Sequence, residues 1–189
     1  MSIDKGKIGR YKLLSLIGEG AMGAVYSAML SGPAGFEKQL AVKIIRAHRE
    51  ENKEQLRINL INEARIGGML RHPNIVETYE LGEEEGQLFI AMEFIDGITL
   101  DRLMKRWKPV PPQACIDIVS QICLGLAHIH SVPEVSLVHC DIKPSNILID
   151  RYGIVKLAEA APAMGLLPSP VRLRVEGLES QQPRAVTIS

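Results

Sequence analysis

The residues best placed to do chemistry crowd into one short stretch. His139-Cys140-Asp141-Ile142-Lys143-Pro144-Ser145-Asn146 sets a carboxylate, an ammonium and an amide within six positions. That set suits accepting a proton, neutralising a phosphate and holding a metal ion, respectively. Upstream, Gly18-x-Gly20-x-x-Gly23 lets backbone N–H groups lie close over phosphates, because no Cβ atoms intervene. The same spacing describes a dinucleotide-binding turn, but that turn feeds a helix, whereas Ala24-Val25-Tyr26-Ser27 is β-prone. A flexible hairpin tip is the other reading of these glycines. Lys43 stands inside the apolar run Ala41-Val42-Lys43-Ile44-Ile45, where an unpaired ammonium is costly, so it either snorkels to the surface or meets an anion. Glu63, further along, is the candidate partner; the alternative is a solvated carboxylate on a helix face. His139 reads as a packed residue, and His128 and His130, two apart on one helix, do not share a face and make no metal pair.

These groups need elements to hold them. Residues 11–17 and 24–30 read as a hairpin around the glycines, 31–35 as a turn and 39–46 as a third strand. Leu56, Leu60, Ile61, Ala64 and Met69 recur at helical spacing, with a stop near Gly67-Gly68 or His72-Pro73. Strands follow near 75–81 and 87–94, joined by an acidic turn. After Asp96-Gly97 the pattern turns helical, first around 99–106 and then from Pro111-Pro112 to about Ser131, with Cys115, Ile118, Val119, Ile122, Leu126 and Ile129 as the apolar stripe. Residues 147–150 and 154–158 read as a last hairpin around Arg151-Tyr152-Gly153. Beyond Ala158 there is no convincing periodicity, and no stable element is expected.

Composition limits the possible partners. The chain has 189 residues, 46% of them apolar, with 22 Lys+Arg against 22 Asp+Glu. An ordinary globular protein is expected, and balanced charge gives no electrostatic case for nucleic acid or an anionic membrane. Cys115, Cys123 and Cys140 are odd in number and lack CxxC spacing, which argues against a disulfide framework or a zinc site and for a reducing cytoplasm. Uninterrupted apolar runs fall short of a membrane span, and the N-terminus lacks the apolar core of an export signal.

In order and spacing, residues from about Tyr11 to Ala158 resemble a eukaryotic-type (Hanks-type) bacterial serine/threonine protein kinase. The resemblance is carried by GEGAMGAV, by AVK, by Glu63, by RHPNIV, by LFIAMEFIDGITL and by HCDIKPSNILI. It implies an α+β fold: a five-stranded antiparallel small lobe with one helix over about 11–95, then an incomplete helical large lobe over about 96–158. Residues 159–189 are left as an irregular tail. It further implies an ATP site at Ile17, Gly18, Glu19, Gly20, Ala21, Gly23, Val25, Ala41 and Lys43. Met92 is implied at the gatekeeper position, Glu93 to Ile95 at the hinge that bonds adenine, and Asp96 near the ribose. Glu63 would orient Lys43, Asp141 would be the base, Lys143 would neutralise the transferring phosphoryl group, and Asn146 would bind Mg²⁺. A lysine two positions after the aspartate resembles serine/threonine rather than tyrosine kinases, so the implied partners are ATP and a protein carrying Ser or Thr.

Two departures stand out. Cys140 replaces the usual arginine, which removes the cation that would pair with an activation-loop phosphate. Glu159-Ala160-Ala161 stands where Asp-Phe-Gly should follow, and the eight aromatic residues all precede the last 32 residues. The expectation is a kinase domain truncated before Asp-Phe-Gly, with the stripe of the long helix exposed to a partner chain or chaperone. Three functions follow: impaired ATP-dependent phosphoryl transfer, a non-catalytic nucleotide- or partner-binding pseudokinase module, and an unstable fragment.

Overall fold

The computed structural model describes residues 6–20, 23–45, 53–132 and 141–158, together with the backbone at 171–172 and 187–188. Six strands make the first sheet: β1 (Lys7–Ile8), β2 (Tyr11–Gly20), β3 (Gly23–Ser31), β4 (Glu37–Ile45), β5 (Thr78–Glu84) and β6 (Gln87–Glu93). Their spatial order is β1-β2-β3-β4-β6-β5, and every pairing is antiparallel. The expected five strands are present, and β1 is an addition too short to leave an alternating pattern in sequence.

Alternation along β4 sorts its side chains onto two faces. Leu40, Val42 and Ile44 join Ile8, Tyr11, Ala28, Phe89 and Ala91 in one core, where the Tyr11 and Phe89 rings meet edge to face. Ile45, on the other face, packs with Leu88 and Ile90 against Leu60 and Ala64 of helix α1 (Lys53–Met69). Lys43 lies two residues from Ile45 and therefore faces α1.

A second, three-stranded sheet, β7 (Gly97–Thr99), β8 (Ile147–Asp150) and β9 (Val155–Leu157), lies beyond the first. The expected hairpin is β8–β9; β7 is an addition, because three residues beginning with a glycine carry no period. Helix α2 (Leu100–Arg106) follows β7 directly.

Helix α3 (Pro112–His130) packs on β9. Ile118, Ile122, Leu126 and Ile129 enter a core with Ile75, Ile147, Val155 and Leu157. Gly125 allows the close approach, since a Cβ there would stand 2.9 Å from both the Asn74 carbonyl oxygen and Leu157 Cδ1. The expected stripe is thus divided rather than wholly exposed. Its Ile118–Ile129 side is covered, while Val119, with Ile116 and Leu124 beside it, is 56 to 58% exposed. Apolar residues on both sides also make α3 long and apolar enough to cross a membrane by length and composition, although its uninterrupted apolar runs are short. In the tail, β10 (Val171–Arg172) pairs antiparallel with β11 (Thr187–Ile188), where no element was expected. The β-branched residues Val171, Thr187 and Ile188 favour such pairing.

Candidate functional site

The site lies where the two sheets meet, around a cavity of about 240 Å³. Of the residues singled out in sequence, Ile17, Gly18, Val25, Ala41, Lys43, Glu63, Met92, Glu93 and Ile95 line it. Glu19, Gly20, Gly23 and Asp96 are not among the lining residues; Ala21 lies outside the described residues.

Local sequence explains the roof. Register shifts between Leu13 and Ser15 and between Leu16 and Gly18 bend β2, and Gly20 pairs with Gly23 at the closed end of the hairpin. Gly23 has φ +149°, and a Cβ on it would fall 2.1 Å from the Ile44 carbonyl oxygen. Only glycine lets β3 lie this close to β4 at that point.

Behind the roof, Lys43 Nζ lies 3.0 and 2.9 Å from the two carboxylate oxygens of Glu63. The lysine is 4% exposed, so its charge is almost entirely removed from water. Leu60 and Ala64 seat α1 on the sheet, and Glu63, one position from Ala64 and three from Leu60, is delivered to the same side. Of the two sequence readings for each residue, the buried ion pair is the one realised.

The polar cluster of the second lobe is assembled by a one-turn 3-10 helix, Pro144–Asn146. Asn146 is buried, and its Nδ2 donates to Asp141 Oδ2 at 2.8 Å and to the Asp141 carbonyl at 3.2 Å. Lys143 Nζ reaches the same carboxylate oxygen at 2.6 Å. The Ala158 N–H donates to the Asn146 carbonyl at 2.9 Å, which ties the end of β9 to this turn. Ser145, between Asp141 and β8, lines the cavity, so the cluster borders it. His139, Cys140 and Glu159 to Ala161 lie outside the described residues.

Asp96 turns elsewhere: its carboxylate pairs with Arg151 at 3.1 Å, and the Arg151 N–H donates to its carbonyl at 3.0 Å. The sequence reading missed Thr99, Leu148 and Leu157, which line the cavity. Leu148 and Leu157 gave only the signal of core residues, and Thr99 that of a helix start.

Asn74 holds the lobes together. Its Nδ2 donates to the Val155 carbonyl at 2.8 Å and to Gln121 Oε1 at 3.0 Å, while Gln121 Oε1 also accepts the Val155 N–H. The backbone on either side completes the clamp: Leu157 N–H to the Asn74 carbonyl and Val76 N–H to the Leu157 carbonyl, both 2.9 Å. Nearby, the rings of His72 and His128 stack with centroids 5.1 Å apart. Burial first, then the neighbouring His128 and Lys156, hold His72 below the ordinary histidine pKa.

Residues 11–160 match the family model described as protein kinase domain. The serine/threonine-protein kinase PrkC of Bacillus subtilis (strain 168) is 37% identical over 166 residues, covering 88% of this chain and 24% of its own length. The probable serine/threonine-protein kinase PknB of Lactococcus lactis subsp. lactis is 34% identical over 170 residues, covering 87% of this chain and 26% of its own length. The chain thus spans about a quarter of the length of these curated relatives. Among solved structures, the Mycobacterium tuberculosis PknI kinase domain is similar with a TM-score of 0.65 and 27% identity, covering 84% of this chain and 61% of that one.

Proposed function

Because the chain belongs to the protein kinase family, we propose that it binds ATP in the cavity between the sheets and presents the γ-phosphoryl group to a serine or threonine hydroxyl of a protein. The observation that carries this reading is the Lys43–Glu63 pair facing the same cavity as Met92, Glu93 and Ile95. A buried ammonium held by one carboxylate is a fixed positive charge at the depth where a nucleotide's phosphates would lie beneath the Gly18 loop. Phosphoryl transfer needs mostly such positioning and neutralisation.

On this reading the base sits between Ile17, Val25 and Ala41 above and Leu148 below, with Glu93 and Ile95 at its edge. Asp141 accepts the proton of the attacking hydroxyl, held in place by Asn146 and Lys143. Lys143 then turns its charge to the transferring group. Mg²⁺, when bound, supplies further neutralisation of the phosphates. Asn146 fits it in kind: its amide would bring an oxygen donor, and Mg²⁺ keeps several waters while taking one or two protein oxygens and those of the phosphates. Groups of three or more His, Cys, Asp or Glu able to hold a metal do not occur among the described residues.

A second reading, nucleotide binding without turnover, is favoured by Glu159-Ala160-Ala161 in place of Asp-Phe-Gly. Glutamate is one methylene longer than aspartate, and the alanines lack the Phe and Gly of that turn. Two measurements separate the readings. A rise in melting temperature with Mg-ATP reports a folded nucleotide site. Transfer of radiolabelled phosphate to a protein acceptor, compared with Asp141→Asn, reports turnover; equal signal from both proteins refutes the catalytic reading.

A further inference from the structure

One partly buried charge beside the site has no part in the nucleotide reading above. Lys156, in the middle of β9, extends its ammonium to Glu93 Oε2 at 2.8 Å, joining residues 63 positions apart. The pair is well shielded, with side chains 13% and 26% exposed. Glu93 is the last residue of β6, and it lines the cavity. The same Oε2 accepts the Glu77 N–H at 3.4 Å, and the Glu93 N–H donates to the Glu77 carbonyl at 2.8 Å. One carboxylate therefore fixes the end of β6 to two places at once, the strand entering β5 and the small sheet of the second lobe.

The register of that small sheet gives Lys156 its direction. Lys156 pairs with Leu148, and directly opposed residues project to the same face. Leu148 lines the cavity, so Lys156 stands on the side where the floor meets the end of β6. We infer that Lys156 is a positioning residue for the nucleotide base: through Glu93 it sets the distance between the segment 93–95 that leaves β6 and the floor at Leu148, and so decides which base that side of the cavity can accept. An ion pair is suited to this task, because an apolar contact at the same place would allow sliding, whereas a charge-assisted bond fixes distance and direction. The inference rests on the nucleotide reading proposed above.

The test compares the wild-type chain with Lys156→Met and Lys156→Arg in two ways. Amide hydrogen exchange without nucleotide is read first. K156M is expected to speed exchange at Glu77 and Glu93 about tenfold, leaving Ala28 and Leu30 in the β2–β3 hairpin within about twofold, since the loss is local. Binding of ATP and of GTP is read second. K156M is expected to weaken ATP about tenfold and GTP far less, so that discrimination collapses, and K156R is expected to restore it, the lost contact being a charge-assisted bond. A residue that merely stabilised the fold would lower both affinities together. Unchanged exchange at Glu77 and Glu93 overturns the inference whether or not nucleotide binds, and altered exchange with unaltered discrimination overturns the base-positioning role. Failure of the wild-type chain to bind either nucleotide refutes the nucleotide reading instead, and with it the base role, while exchange still decides whether Lys156 holds the end of β6. Should K156M not fold, Glu93→Gln, which keeps an acceptor for the Glu77 amide without the charge, is read by the same exchange measurement.

Discussion

The two carboxylate oxygens of Glu63 straddle the Lys43 ammonium at 3.0 and 2.9 Å, across 20 residues of sequence and between a strand and a helix. Neither group is comfortable alone: removing one partner of a buried pair leaves a bare charge, at about 3–5 kcal/mol. The pair therefore couples the seating of α1 on the sheet to the electrostatics of the cavity.

Lys43→Met is expected to abolish the Mg-ATP-induced rise in melting temperature and to weaken ATP binding at least about tenfold, because a charge-assisted contact to phosphate is lost. Glu63→Gln, which keeps the shape and one acceptor, is expected to weaken binding less than K43M does. Titration with a fluorescent ATP analogue checks both, and equal affinity for K43M and wild type contradicts the site.

Asp141→Asn separates binding from transfer. Its Oδ1 still accepts from Lys143 or Asn146, so nucleotide affinity is expected to stay within about threefold. Any transfer is expected to fall about 10²–10⁴-fold with the general base removed. Single-turnover assays at saturating ATP distinguish this from a loss of binding.

Gly97→Ala probes the junction of the lobes. A Cβ there would stand 2.0 Å from the Ile149 carbonyl oxygen and 2.7 Å from Asp150 Cα, both parts of the paired strand β8. Backbone cannot step aside as a side chain can, so β7 must separate from β8. A loss of about 2 kcal/mol or more is expected in urea unfolding, in the range of severe local strain. An unchanged midpoint would show that β7 is not held as described.

Acid sensitivity is expected from His72. Its folded-state pKa is depressed, chiefly by burial and then by His128 and Lys156, and its Nδ1 accepts the Asn74 N–H at 3.0 Å. As pH falls, the unfolded chain takes up the proton first. The stabilisation is complete above the unfolded value of about 6.5 and is lost as pH falls through the depressed folded value. His72→Asn keeps an acceptor without the titration, and so is expected to flatten the dependence of the urea midpoint between about pH 7.5 and 5.5. Equal slopes for variant and wild type would remove His72 as the cause.

Much of this site could be read before any coordinates. Asp141, Lys143 and Asn146 fall within six positions, so a single turn must bring them together, and it does. Alternation in β4 and the helical spacing of Leu60 and Ala64 place Lys43 and Glu63 on facing surfaces. Asp96 was less legible. It is one residue past Ile95, which lines the cavity, yet Arg151 from the β8–β9 turn takes its carboxylate away.

What the sequence by itself determined is therefore local: strand and helix periods, the glycines that permit close backbone approach, and charged groups near one another along the chain. Tertiary structure alone decided which side of α3 is covered, since its apolar residues occur on both sides and only the position of β9 selects Ile118, Ile122, Leu126 and Ile129. It alone joined Lys156 to Glu93 and Asn74 to Val155, across 63 and 81 residues. The physical reason is the same in each case. Periodicity reports the direction of a side chain relative to its own element, whereas a partner far along the chain is specified only when packing sets two elements side by side.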